Sequence, residues 1–379
     1  MEFLTSTAIY VLPFLFIITV LVYVHEMGHY LVAKKCGVGV EVFSIGFGPE
    51  LFGWTNKEGE RWKICIIPLG GYVKFFGDAD ATSVLPDKEK MAAMSDVAKK
   101  KSLLQKNPWQ RIAISAAGPA ANYLFAIVVL AGVFATYGQR FMEPVIHSVV
   151  EGGAAKEAGL LGGDRITSIN GQSIATFSDV QFEVQESSGI PLQVNVERAN
   201  ENLNFTVTPK SKEMIDRFGN KQNIGMLGIE VRATGYKKRG PIESLYYAVN
   251  ETYSITAKTL RSVGQMIVGK RSGDGLVGMV GVAQISGMAI QVGLAEFLWL
   301  ACMISIGLGL INLFPIPMLD GGHIVFYAIE IIRGKPLSEN AQEWAFRIGF
   351  SVVVFLMVFA LWNDFSRLGV VRWIQALFS

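Results

Sequence analysis

Cysteine is nearly missing from this chain, and charge is thin. The three cysteines, Cys36, Cys65 and Cys302, lie far apart. That spacing excludes a zinc ribbon and a disulfide framework and places no demand on the redox compartment. Charged residues make up 17% of the chain, where an average domain carries about 25%. The net charge of +2 is too small to argue for a nucleic-acid partner. No Lys or Arg precedes the first apolar run and no small-residue cleavage site ends it. A removable secretory signal is therefore not expected, and no organelle transit sequence is visible. Histidine is scarce as well. Of four in the chain, two fall in LVYVHEMGHYL, residues 21–31, a segment otherwise apolar enough for a lipid bilayer.

What is abundant is apolar surface: 51% of residues are hydrophobic and the mean hydropathy is +0.36. The expectation is a polytopic α-helical membrane protein. A spanning helix needs ~20 mostly apolar residues. Four segments qualify, at about 7–33 (with Pro13 as a kink), 112–137, 297–316 and 345–362. Lys and Arg in short loops set orientation. The loop after span one carries Lys34, Lys35, Lys57, Arg61, Lys63, Lys99, Lys100, Lys101, Lys106 and Arg111, and the loop after span three carries Arg333, Lys335 and Arg347. Both belong in the cytoplasm. The N-terminus, the region 138–296 and the C-terminus then lie outside, against a weak opposing pull from Arg367 and Arg372.

The segments divide into a first membrane half at 1–137, a β-rich domain at 138–232, a connecting region at 233–295 and a second membrane half at 296–379. In the β-rich domain, 154–160 reads as a short helix, 165–169 as a strand and Asn170-Gly171 as a hairpin turn, with further strands at 192–197 and 203–207. The stretch 241–269 is amphipathic, and two readings stand: a helix on the membrane surface, or one packed on the β domain. Residues 276–295 are apolar and glycine-rich, and their pattern does not decide whether they span. RWKICIIPLGGYVKFF, residues 61–76, reads as a β-hairpin turning at 68–71, either resting on the membrane or dipping into it under cover of protein. Residues 78–107 form a charged cytoplasmic loop, after which Trp109 and Arg111 anchor span two.

Ionisable groups inside a membrane span are a functional hypothesis by default. On a helix, positions i and i+4 share a face, roughly 6 Å apart along the axis. His25 and His29 can thus hold one metal ion, with Glu26 placed to take a proton from water. Zinc suits such a site, leaving one position open when the protein supplies three ligands. The bland alternative is a pair of core histidines beside a satisfied glutamate. For the third ligand the best candidate is Asp320 in NLFPIPMLDGGH, residues 312–323. There Pro315 and Pro317 break the helix, and Gly321-Gly322 are expected to loosen the chain. A helix-end cap is the alternative for Asp320. His323 is a rival ligand, better read as a polar neighbour, and His147 lies across the membrane. Asn312 could orient substrate or stabilise an oxyanion. Asn122, in the small-residue GPAAN segment, is expected to bond a neighbour near the site, with plain packing as the alternative. Starting from Ala8, His25 lies roughly 26 Å along span one in a core of about 30 Å. That puts the metal toward the cytoplasmic side, where Asp320 follows span three.

HEMGH on span one, GPAAN and NLFPIPMLDGG together resemble the site-2 proteases, the M50-type intramembrane zinc metalloproteases. KNPWQRIAISAAGPAANY, VGMVGVAQISG and GFGP at 46–49 are similar to the bacterial regulator of sigma-E protease group. The resemblance covers nearly the whole chain. It implies one Zn2+ on His25, His29 and Asp320, with Glu26 as catalytic base. It implies that 61–76 is a membrane re-entrant β element taking the unwound substrate as an added strand, with Ile64, Ile66, Gly70 and Gly71 as candidate contacts beside Asn312 and Asn122. The domain around 152–174 resembles a PDZ domain in its circularly permuted bacterial form, able to take peptide C-termini and screen substrates already cut outside the membrane. Only one GDRITSINGQ-type signature occurs, where some members carry two PDZ domains. The space at 223–231 is short for a second copy. The implied protein sits in the bacterial inner membrane, with the PDZ-like domain periplasmic, and cleaves single-span membrane proteins such as anti-sigma factors or remnant signal peptides. Two rivals come from other classes. A membrane metal transporter would show internal repeats and several intramembrane carboxylates, and neither is visible. A catalytically inactive PDZ scaffold would be expected to lose a ligand or the glutamate, and all four residues are present.

Overall fold

An apolar run with few breaks forces its backbone polar groups to pair internally, and a helix does this within one segment. The computed structural model, which describes residues 2–77, 99–140, 142–215, 221–231, 236–269 and 277–367, meets that demand with four long helices. They are α1 (Glu2–Lys35), α2 (Pro108–Thr136) and, after the insert described below, α7 (Leu294–Asn312) and α9 (Glu339–Arg367). All four are long and apolar enough to cross a membrane. Most of the loop expected at 78–107 lies outside the described residues. The helix α7 stops at Asn312 rather than 316, because Pro315 and Pro317 cannot donate the next helical hydrogen bonds.

The chain falls into two compact units, one from 1–133, 241–267 and 274–364, the other centred on 134–240. In the first, β1 (Val40–Thr55) and β2 (Arg61–Phe75) form one sheet of mixed direction, in which 42–45 run antiparallel to 71–74 and parallel to 61–64. This corrects the hairpin expected within 61–76. Residues 42–45 of β1 pair on one side with 71–74 and on the other with 61–64, and 52–55 then pair with 61–64. The four runs therefore lie in the order 71–75, 40–45, 61–64, 52–55. The local Pro-Leu-Gly-Gly turn signal was overridden by an earlier stretch inserting between the two halves. Gly46 and Gly48, at φ 88° and 85°, let β1 fold back on itself. Phe43, buried, stacks on Trp62 with ring centroids 4.3 Å apart.

Within the first unit, α5 (Pro241–Ile267) is amphipathic as expected, but its buried stripe is made of small residues, two of them polar: Ser244, Ala248 and Thr252. It packs on α7, and Thr256 donates to the Tyr123 hydroxyl at 3.3 Å. Ile242, Tyr246 and Tyr253 point outward. The stretch left undecided at 276–295 forms α6 (Met279–Val292). Its 14 residues make it about 21 Å long, short of a bilayer core, and it packs along α1. The buried carboxylate of Asp364 on α9 accepts the Gly278, Val280 and Gly281 N–H groups at 2.9, 2.9 and 3.2 Å, capping the start of α6. A short loop from α7 leads to α8 (Asp320–Arg333).

In the second unit, β3 (Gln139–Arg140) pairs with β12 (Tyr236–Lys237), so the insert departs and returns at one point. Next, β4 (Ser148–Val149) pairs with β11 (Ile229–Glu230). A four-stranded sheet runs β6 (Gln172–Ser173), β5 (Arg165–Ile169), β7 (Leu192–Arg198), β8 (Glu201–Val207). Asn170-Gly171 and Ala199-Asn200 turn its hairpins, each residue at positive φ as a tight primed turn requires. The helices α3 (Ala154–Glu157) and α4 (Phe177–Gln185) complete a core that includes Leu160, Ile166, Ile169, Leu192, Val194 and Val196. The strands β9 (Lys210–Ile215) and β10 (Lys221–Met226) pair with one another, so 223–231 belongs to this domain's own strands. Asp164, fully buried, is held by Arg198 at 2.6 and 2.7 Å. Burial by itself would raise its carboxyl, but the guanidinium and the Leu161 N–H hold it below the usual carboxylate range.

Candidate metal centre

His25, Glu26 and His29 are all buried on α1, against the run that includes the buried Leu21 and Val22. Small residues make room for them. A Cβ at Gly28 would lie 2.3 Å from the Ala117 carbonyl oxygen, and one at Gly118 would lie 2.3 Å from His29 Nε2 and 2.8 Å from His25 Cε1. The crossing of α1 and α2 therefore needs both glycines, and the GPAAN segment houses the imidazoles as well as packing.

The turn after α7 delivers the carboxylate. The chain passes Pro315 and Pro317, takes a strained φ of 90° at Met318, and enters α8 at Asp320. Gly321 and Gly322 do not loosen the chain as expected. They are buried in the first turn of α8, where a Cβ would lie 2.3 Å from the Leu313 and Phe314 carbonyl oxygens and 2.4 Å from that of Ile316. They exist for close packing, which fixes the aspartate. Its oxygens come 3.1 Å from His25 Nε2 and 3.4 Å from His29 Nε2, and the two Nε2 atoms are 3.2 Å apart.

The outer ring nitrogens are also held. His29 Nδ1 lies 2.7 Å from the Ile114 carbonyl oxygen, which can only accept, so Nδ1 carries the proton and Nε2 keeps its lone pair. His25 Nδ1 lies 3.2 Å from the Asn122 amide. Three acceptors thus face one point, within 4.8 Å of one another. A divalent cation satisfies that arrangement, and two imidazoles with a carboxylate form a donor set suited to zinc. Glu26 turns to the sheet, where its carboxylate accepts the Val73 N–H. A Cβ at Gly71 would lie 3.1 Å from Glu26 Cγ.

The remaining residues singled out from sequence are distributed as follows. Gly70 lies on the same strand, against Phe47. Ile64 and Ile66, both exposed, lie on β2 ahead of the 71–75 run that borders α1. Asn312 is the last residue of α7, and among the described residues it makes no hydrogen bond to the histidine pair. His323 is not in the converging set. It stacks on Tyr327 and abuts Phe346. His147 belongs to the insert, where its backbone N–H bonds Glu230 O at 2.8 Å. Arg111, expected as an interfacial anchor, is buried instead. It pairs with Glu330 of α8 at 2.5 Å and sits 4.7 Å over the Tyr327 ring. This clamp joins α8 to α2. Nothing local in the sequence signals a partner so distant, nor the Ile114 carbonyl or the Val73 N–H.

A helix bearing two histidines and a glutamate, closed by a remote aspartate within apolar helices, defines the class of membrane metallohydrolases. The family model "Peptidase family M50" matches residues 13–356. A protein of Agrobacterium fabrum named as a putative zinc metalloprotease is 46% identical over 363 residues, covering 95% of this chain and 96% of its own. One of Rhizobium meliloti with the same description is 43% identical over 373 residues, covering 97% and 100%. Metalloprotease MmpA of Caulobacter vibrioides is 34% identical over 389 residues, covering 96% and 97%. A solved PDZ domain from Listeria monocytogenes overlaps 24% of this chain and 88% of its own at 19% identity, with a TM-score of 0.19, too low to define the insert's fold. The chain belongs to peptidase family M50 and is a membrane metalloprotease.

Proposed function

We propose that the chain is an intramembrane zinc endopeptidase whose substrates are single-span membrane proteins already cut once outside the membrane, such as anti-sigma factors or remnant signal peptides. The observation that carries this reading is the meeting of His25, His29 and Asp320 among helices apolar enough for a bilayer, with Glu26 beside them. His25 and His29, through Nε2, and the Asp320 carboxylate would hold one Zn2+. Bound there, zinc supplies Lewis acidity, polarising the scissile carbonyl and acidifying water to a pKa of about 7.

The protein's own groups do the rest. Glu26 accepts the proton of the attacking water and returns it to the departing amine. Asn312 donates to the developing oxyanion. A peptide bond inside a helix is shielded, so the substrate must be extended. The 71–75 run supports presentation of an added strand, because it is the outer run of its sheet and borders Glu26. Gly70 and Gly71 keep that edge low, while Ile64 and Ile66 offer apolar contacts. The basic loops support a site toward the cytoplasm of a bacterial inner membrane and a PDZ-like insert in the periplasm, where it would take exposed peptide C-termini.

Replacing Glu26 with Gln tests the chemistry. The variant should keep one zinc per chain and lose cleavage of a tethered single-span reporter by at least 1,000-fold, on the order of a lost general base with its water-positioning role. Retained turnover in proteoliposomes rejects the assigned base.

A further inference from the structure

The histidine pair is held unequally. His29 Nδ1 faces a backbone carbonyl, which fixes one tautomer. His25 Nδ1 faces a side-chain amide, whose two ends donate and accept respectively. With the amide nitrogen toward the ring, 3.2 Å away, His25 Nδ1 would have to accept, its proton would move to Nε2, and Nε2 could no longer ligate. That orientation also leaves Asn122 Oδ1 buried without a donor, a costly arrangement. Amide oxygen and nitrogen are assigned from their surroundings; turning the amide gives the oxygen its donor and moves the nitrogen to the oxygen's former place, so the choice rests on the lone pair that His25 Nε2 needs in order to ligate.

We propose that Asn122 is a positioning residue that accepts the His25 Nδ1–H through Oδ1 and so keeps the Nε2 lone pair aimed at the point that the Asp320 carboxylate also faces. The inference rests on the zinc reading above. Asn122 is fully buried, which bars it from substrate, and its backbone carbonyl accepts the hydroxyl of the fully buried Ser305 at 2.9 Å. The Asn122 backbone is thereby tied to α7. Both imidazoles are then oriented from α2, one by a main-chain acceptor at Ile114 and the other by a side-chain acceptor at Asn122. Partners of this kind set tautomer, ring angle and ligand basicity.

The test measures zinc affinity of the full-length protein in detergent, by competition with a chromophoric chelator, for wild type, Asn122→Leu and Asn122→Asp, with circular dichroism to verify helix content. Asn122→Leu should weaken zinc binding about 10–100-fold. Asn122→Asp keeps an acceptor and lacks the amide N–H, so it should stay within about 3-fold of wild type, and its Co2+-loaded form should keep the wild-type visible spectrum. Should the leucine variant fail to fold, the aspartate variant decides alone. An aspartate variant that folds but loses more than 10-fold overturns the role, because it means that the donating end faces His25. So does a folded leucine variant that binds zinc as wild type does. A wild-type protein that binds no zinc overturns both this role and the zinc reading beneath it.

Discussion

The two units differ in what they leave exposed and in the polar groups they bury. The insert puts Leu160, Ile166, Leu192, Val194 and Val196 inside, and the buried charge of Asp164 is tied to Arg198. The membrane unit also buries apolar residues, Ile17, Leu21, Phe43 and Ile306 among them, but differs in the rest. Leu12, Phe16, Leu124 and Phe355 are each more than 60% exposed, while His25, Glu26, His29, Asn122, Ser305 and Asp364 are buried. The solvent explains the difference. Water drives apolar groups inward. A lipid exterior removes that drive and leaves helices to associate through small residues and polar bonds. Buried polarity therefore means different things in the two places. In the insert, Asp164–Arg198 is a structural pair. In the membrane unit, Asp364 and Ser305 join helices, and the histidine pair with Asp320 forms a site.

The sharpest way to break this contrast is at Gly118. An alanine there puts its Cβ 2.3 Å from His29 Nε2. Gly118→Ala should abolish stoichiometric zinc in the purified protein while hydrogen exchange across the β5–β7–β8 sheet stays unchanged. Retention of a full zinc equivalent would show that the histidines have other room. A smaller effect is expected at the clamp between α2 and α8. Glu330→Ala, which leaves Arg111 buried and unpaired, should destabilise the membrane unit by about 3–5 kcal/mol, whereas Arg111→Met with Glu330→Leu should be near neutral. Unfolding in mixed micelles measures both, and equal losses would argue against a desolvated pair.

The smallest effect belongs to the insert and to acid. The folded pKa of Asp164 lies below its unfolded value. Its pairing thus contributes stability in full above the unfolded value of about 3.9, and that contribution fades as pH falls through the folded one. Lowering the pH through this window should speed hydrogen exchange in β5 and β7. Asp164→Asn should exchange faster at neutral pH and show less of this acid dependence. An unchanged acid dependence would assign it to other carboxylates.

How much could be read in advance follows from distance along the chain. The four long helices were legible because apolar runs of that length have few other solutions, and the Asn170-Gly171 turn because primed turns select those residues. His25, Glu26 and His29 share a helix, so their neighbourhood is local geometry. The 40–55 strand was missed because its glycines argue against a strand unless a fold-back is foreseen, and its pairing with both ends of β2 is not local. Gly321 and Gly322 were read as loose because their partners at Leu313, Phe314 and Ile316 appear only once the turn closes.

The chain's own order of residues was enough to specify apolar helices, the spacing of two imidazoles around a carboxylate, and a proline-broken segment ending in Asp320. Each depends on backbone geometry over a few residues. Packing alone settled that Asp320 reaches both imidazoles, that Gly28 and Gly118 admit them, that Ile114 and Asn122 meet their outer nitrogens, and that Arg111 is paired rather than exposed. Those contacts join atoms from separate helices, whose approach is set by shape and by hydrogen bonds that no local pattern encodes.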